Sequence, residues 1–308
     1  MGVFFNEHLN FDKATNVLAD SAGRALGSII NKYKLLKDMG YATYTKLFEA
    51  CIRPILCYCS STWGYTRYPK LCQVQYRAMR LFLGVYRFTA IAAMHGDMGW
   101  LSVRSSQWTN MVRFWNRMQK LGSDRLTKQV FMWDREQGHN RWSNDIKMIL
   151  STLDLQYVYD QNILCNEDLL QQRLQNYANM QWRDEIAHKP KLRLYNKIKN
   201  DLKVEDYVKI NLNRVERSCL TQLRAGILKI NIELGRMARL KVEERLCPIC
   251  SCGAVENELH FVFICDAYHN FRFKFLKTLQ DRNLITFIDI SDEGKQIQTI
   301  KIDIRKFP

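Results

Sequence analysis

Cys247, Cys250, Cys252 and Cys265 crowd into one segment, CPICSCGAVENELHFVFIC, with His260 between them. Taking Cys247, Cys250, His260 and Cys265 gives C-x2-C-x9-H-x4-C. A C-x2-C pair forms a tight knuckle whose two thiolates grip one ion, and a His and a third Cys from the next element complete a tetrahedral shell. Four soft sulfur and nitrogen donors favour zinc, and a saturated shell leaves no position for a catalytic water, so the spacing predicts structural Zn2+. Cys252 and His269 stand close enough in sequence to replace a neighbour as ligand. The bland alternative is a group of buried thiols with a helix-capping histidine. A redox C-x-x-C is disfavoured, because no strand–helix–strand pattern surrounds it.

The rest of the chain reads as mainly α. Ala14, Val17, Leu18, Ala22, Ala25, Leu26, Ile29, Ile30 and Tyr33 recur at the spacing of one buried helical stripe, with Asn10 and Asp12 as capping residues. A second helix is expected from about Thr43, bent or ended by Pro54. Pro69 suits the first turn of a third, with Leu71, Val74, Ala78 and Leu81 inward and Gly84 as its stop. RFTAIAAMHGDMGW reads as a turn-rich stretch, followed by a helix bearing Trp108, Met111, Val112, Trp115 and Met118. Further helical patterns fall near 143–153, 167–187 and 212–225, with Gly226 as a C-terminal cap. VFF near the start and TIKIDIRKFP at the end resemble short strands. With 308 residues and 47% hydrophobic composition, the chain is long and apolar enough for about two domains, which excludes global disorder. No apolar run approaches the ~20 residues of a membrane span. The N-terminus lacks the order of a secretory signal, so an intracellular protein, nuclear or cytoplasmic, is expected. In that reducing setting Cys51, Cys57, Cys59, Cys72, Cys165 and Cys219 are expected as core thiols, not disulfides.

Lys and Arg total 46 against 31 acids, a formal charge of +15 that favours polyanionic partners, nucleic acid first among them. Lys70, Arg77 and Arg80 flank the apolar face of the third helix, and Arg113, Arg117 and Lys120 that of the fourth. Such like-charged neighbours repel slightly in isolation and make sense opposite phosphates; a solvated basic face is the alternative. Trp108 and Trp115 have the spacing of core residues, although tryptophans also stack on bases. His95 and Asp97 share a turn, too common an arrangement to imply acid–base catalysis.

GVFFNEHLNF, ALGSIINKYK, RPILCYCSSTWGY, VQYRAMRLFLGVYRF and GDMGW, in that order, resemble the stretch after the catalytic palm of non-LTR (LINE-type) retrotransposon reverse transcriptases. LTQLRAGILKINIELGR, VEERLCPIC and ENELHFVFICDAY resemble the zinc-binding segment near the C-terminus of those polyproteins. The resemblance covers about residues 2–280. It implies the end of the palm and a thumb-like helical domain over 1–135, a helical linker over 136–240, a zinc element over 241–285 and a tail over 286–308. It carries the four metal ligands onto Cys247, Cys250, His260 and Cys265 and makes a template–primer duplex of RNA and DNA the expected partner.

A reverse transcriptase clamps two divalent ions with paired carboxylates, and no Asp-Asp pair occurs in this chain. Its first residues match sequence downstream of that motif, so Met1 reads as an internal methionine of a longer open frame, and fingers, catalytic palm and endonuclease are expected to be missing. The leading expectation is a C-terminal fragment that binds nucleic acid without polymerising it and takes no small-molecule substrate. The alternative is a stand-alone helical zinc protein serving as a protein-interaction scaffold. A third reading has a partner supply the palm.

Overall fold

Helical periodicity governs the architecture of the computed structural model, which describes every residue except 1, 3, 5, 6, 8, 9, 37, 139, 140, 211, 282–291 and 301–308. Among the described residues there are seventeen α-helices and no β-strand; an isolated antiparallel bridge joins Leu246 and Val255. The chain divides into two compact units, one of residues 1–81 and 100–181, the other of 82–99 and 182–308.

The first unit opens with the Asp12–Leu35 helix, which buries Ala14, Leu18, Ala22, Leu26, Ile29 and Tyr33 of the expected stripe; Ala25 and Ile30 are half-buried at its edge, and Val17, expected inside, is turned outward by the helix register and exposed. Phe11, rather than Asn10 or Asp12, occupies the N-cap, and no side chain caps it; the Thr15 hydroxyl donates back to Phe11 O instead. The second helix does not stop at Pro54. Tyr41–Leu47 runs through a π-helical turn, Phe48–Ile52, into Arg53–Leu56. A proline inside a helix has no N–H for the regular ladder, and a widened turn ahead of it absorbs the lost bond. Pro69 opens the Pro69–Leu83 helix as expected, and Gly84 follows it at φ +68°.

The core around the Val103–Gln119 helix is aromatic. Trp115 is fully buried, with the Phe131 and Tyr159 rings each 5.3 Å away. Trp108 stacks on Tyr177 at 5.7 Å. These tryptophans are therefore core, each burying more apolar surface than any other residue type can. Met111, Ile146, Ile149, Leu150, Leu170 and Leu174 complete the cluster. The Trp142–Thr152 and Glu167–Ala187 helices lie where the periodicity places them.

The second unit holds the stretch expected as turns. Residues Ile91–Met98 are a helix, closed by Gly99 at φ +63°. Gly96 is required within it: an added Cβ would lie 2.2 Å from the Tyr195 hydroxyl. The Arg214–Arg224 helix has a reciprocal capping box between Asn213 and Glu216, and Gly226 follows it at φ +61°. Thr299 and Ile300, expected in a terminal strand, end the Glu293–Ile300 helix; the remainder of that segment, like Val3 and Phe5 of the initial one, lies outside the described residues. No helix among the described residues is long and apolar enough to cross a membrane.

All ten cysteines are free. Of the six expected in the core only Cys72 and Cys165 are buried; Cys51, Cys59 and Cys219 are exposed and Cys57 is half-buried. A small thiol at the edge of a helical stripe follows the helix register, and that register turns Cys51 and Cys219 outward, whereas Cys59 lies in a turn between two short helices at φ +53°.

Candidate metal centre and basic grooves

The cysteine-rich segment folds as a knuckle and a widened turn. Cys247 N donates to Ala254 O and Glu256 N to Arg245 O, both at 2.9 Å, which closes a hairpin around Cys250. Asn257 accepts from His260 N at 2.8 Å through its side chain and so starts the next turn. That turn, His260–Ile264, is π-helical, and Cys265 N donates to His260 O at 2.8 Å. The five-residue step fits the H-x4-C spacing: it brings Cys265 round beside His260, one turn further along the chain.

The ligand atoms of Cys247, Cys250, His260 and Cys265 all lie within 4.8 Å of one another, an arrangement able to hold a metal ion. Cys247 Sγ is 3.9 Å from Cys265 Sγ, and Cys250 Sγ is 3.4 Å from His260 Nε2. Cys247, His260 and Cys265 are buried. Burial opposes ionisation of Cys247, but the backbone N–H groups of Cys250 and Ile249, with the neighbouring thiols, outweigh it and leave its pKa below the ordinary thiol value. His260 Nδ1 is buried with no hydrogen-bond partner, so Nε2 is the nitrogen presented to the thiols. Of the two rival ligands, Cys252 is exposed with its Sγ 3.0 Å from that of Cys250, and His269 is exposed at the head of the His269–Asp281 helix; neither belongs to the four-residue group.

Buried acids fasten this segment to its unit. Glu256 accepts from Asn231 N at 2.6 Å, at the start of the Asn231–Met237 helix. Glu258 takes Arg193 Nη2 at 2.6 Å, while Glu233 takes the other nitrogen of that guanidinium at 3.0 Å. Burial raises the Glu258 pKa, and the Arg193 charge opposes that rise. None of these partners was legible in the sequence; their one signal is the pair of acids in VENE between the knuckle and the histidine.

A second cluster of charges surrounds Asp97, which is fully buried. Its carboxylate accepts from the Tyr195 hydroxyl at 2.9 Å, the Tyr207 hydroxyl at 2.6 Å and Arg224 Nη2 at 3.2 Å. Arg224 also meets Glu205 at 2.9 Å. Burial, then the Asp97 charge, pushes both tyrosines well above their ordinary pKa. Three side chains thus converge on one buried carboxylate, which ties the Ile91–Met98 helix to the segments that carry Tyr195, Tyr207 and Arg224.

Four of the six expected basic residues line two open grooves of the first unit. Lys70 and Arg77 of the Pro69–Leu83 helix face Arg24 and Asp20 of the Asp12–Leu35 helix across a groove of about 710 Å³. Lys70 and Arg77 are exposed and enter no ion pair among the described residues. Arg80 lies outside this lining and is half-buried, and burial lowers its pKa. Arg113 and Arg117 line a smaller groove of about 270 Å³ with Asn110, Ser60 and Ser61. Arg113 is held there by a forked pair to Glu167, at 2.8 Å from Nη2 and 3.2 Å from Nε. Lys120 caps the end of the Val103–Gln119 helix, exposed and outside either lining. Arg24 was missed in the sequence, although it sits on the outer face of the first helical stripe. Comparison of the chain with family models, with curated proteins and with solved structures gave no match.

Proposed function

We propose that this chain is a phosphate-binding nucleic-acid protein of the thumb–linker–zinc type that its motifs resemble, and that it does not polymerise DNA by itself. The observation that carries the reading is the groove in which Arg24, Lys70 and Arg77 converge against a single carboxylate, Asp20. Its surplus of positive charge is unneutralised by protein, and the net charge of +15 adds a long-range field of the same sign. The ligands are phosphates of an RNA–DNA or duplex backbone, read with little sequence preference. Arg113, Arg117, Lys120 and Arg80 add contacts of lesser weight.

The ion of the Cys247–Cys250–His260–Cys265 centre is Zn2+ in this reading. Bond lengths of about 2.3 Å to sulfur and about 2.0–2.1 Å to nitrogen at tetrahedral angles require sulfurs about 3.8 Å apart and a sulfur–nitrogen distance of about 3.6 Å. The separations of 3.9 and 3.4 Å support that geometry. Zinc there supplies folding energy and no chemistry.

Fluorescence anisotropy with a labelled RNA–DNA duplex over a salt series tests the groove. Each phosphate contact contributes about 0.9 to the slope of log K against log salt, so reversing Lys70 and Arg77 to Glu should flatten the slope by about 2. An affinity that ignores salt, or a double variant that binds as the parent does, sinks the proposal. Metal analysis should find one zinc in the parent and none in Cys265→Ser. A second reading, a protein-interaction scaffold, has Phe271, Phe273 and Phe275 in its favour, all exposed on the His269–Asp281 helix. Protein partners that survive nuclease treatment in a pull-down would support it over the first.

A further inference from the structure

We propose that Cys252 is an oxidation site that releases the metal, by forming a disulfide with the ligand Cys250 when a peroxide reaches it. The inference rests on the zinc reading above and adds its regulation. Five cysteine or histidine side chains crowd this segment and a tetrahedral ion takes four, which leaves one thiol over. That thiol is exposed, whereas Cys247 and Cys265 are buried, so a solvent oxidant meets it first. Its Sγ lies 3.0 Å from Cys250 Sγ and must move only about 1 Å closer to reach the disulfide bond length. Residues 249–252 are bends rather than helix, and a Cβ at Gly253 would meet nothing within 4 Å, so the tip has room to close.

The chemistry balances with a hydroperoxide as the only co-reactant. The Cys252 thiol gives its proton to solvent and the thiolate attacks one oxygen of the peroxide; the O–O bond breaks, the leaving hydroxide takes up a proton as water, and Cys252 becomes a sulfenic acid. The Cys250 thiolate then attacks that sulfur, the new S–S bond forms and hydroxide departs. The two sulfurs lose two electrons and the two peroxide oxygens gain them. Cys250 has now spent the lone pair that bound the ion, and a site with three ligands holds zinc far less tightly. A dithiol reductant reverses the cycle.

The test uses the full chain with its zinc content measured beforehand. Hydrogen peroxide is added in the presence of a chromogenic zinc chelator, and the products are mapped by mass spectrometry without reduction. The parent should release its zinc, show a peptide spanning 250–252 lighter by two hydrogens, and rebind zinc after reduction. Cys252→Ser should hold its zinc from the start and release it several-fold more slowly, while Cys219→Ser, which removes another exposed thiol, should behave as the parent. Equal release from Cys252→Ser and parent overturns the proposal, as does a disulfide mapped to Cys247 and Cys265. A Cys252→Ser chain purified without zinc overturns it too, since Cys252 would then be a ligand. A parent chain without zinc refutes the metal reading together with this one, so failure of the switch alone is recognised by a zinc-loaded parent.

Discussion

Replacing Asp97 by Asn keeps the shape of the side chain and removes the charge on which the second unit's largest polar cluster depends. Arg224 has only 7% of its side chain exposed and cannot recover its hydration. Breaking a buried pair by neutralising one partner costs about 3–5 kcal/mol, because the other charge stays buried. Arg224 keeps Glu205, whose side chain is 23% exposed, so the lower end applies, about 3 kcal/mol. The amide also turns a donor toward one of two hydroxyls that both donate to the carboxylate, Tyr195 at 2.9 Å and Tyr207 at 2.6 Å. With a urea m-value of about 2–3 kcal/mol/M, the unfolding midpoint should fall by about 1–1.5 M.

The chain has two units, so the readout must be local. Hydrogen exchange of peptides from Ile91–Met98 and Arg214–Arg224, followed through a urea series, reports the second unit directly. Asp154→Asn, read on peptides of its own unit such as Trp142–Thr152, is the control: its pair with Arg173 spans 3.5 Å with the Asp154 side chain 82% exposed, and such pairs are worth about 0–1 kcal/mol. A midpoint change for Asp97→Asn no larger than for Asp154→Asn would refute the view that Asp97 is an internal anchor. It would mean instead that Glu205 and solvent suffice for Arg224.

Three further outcomes follow from the same packing. Gly99→Ala should destabilise the second unit by more than about 1 kcal/mol, since its φ is +63° and a Cβ would sit 2.4 Å from Val204 N; the same exchange experiment reads it. Burial, and then the nearby Asp134 carboxylate, raise the Asp145 pKa from 3.8 to about 6. The folded state therefore holds this proton more tightly than the unfolded chain, and stability declines as pH rises from about 4 to about 6. Asp145→Asn should accordingly raise the melting temperature at pH 7–8 and leave it unchanged at pH 4; an equal gain at both pH values would contradict the assignment. Arg193→Ala leaves Glu258 and Glu233 buried without their shared cation, and the Cys265 segment should then exchange faster even with metal present.

The sequence made legible what is periodic or locally spaced. The stripe of the Asp12–Leu35 helix and the four-ligand spacing each depend on residues close along the chain; the four ligands group as read, and the stripe does so apart from Val17, which is exposed. Ile91–Met98 was missed because Gly96 and Gly99 look like turn residues, whereas Gly96 is small to admit Tyr195, about a hundred positions on. Asp97 escaped for the same reason: a carboxylate alone in an apolar stretch is ambiguous until Tyr195, Tyr207 and Arg224 fold around it. Charge spacing placed Lys70 and Arg77 on one face, but only the neighbouring helix adds Arg24 and sets Arg80 apart.

The two units obtain their specificity by different means, and the difference bears on function. Among the described residues, the buried polar side chains of the first unit are uncharged: Thr15, Ser60, Gln75, Gln107, Thr109 and Ser143. Its core is aromatic and aliphatic, so its cations remain on the surface, where Arg24, Lys70 and Arg77 line a groove without being drawn into the fold. The second unit buries Asp97, Glu233, Glu256 and Glu258 together with Lys199, Arg217 and Arg224. Charges confined in a low-dielectric interior are costly unless every one is paired, so its geometry tolerates few arrangements. A metal-binding cluster tied in by Glu256 and Glu258 suits such a unit, because an ion held there would fix four side chains and order the acids beside them. Four buried acids stand against three buried bases there, so this packing shifts the exterior balance by about one charge, and the excess of 46 bases over 31 acids is carried almost wholly by the surface.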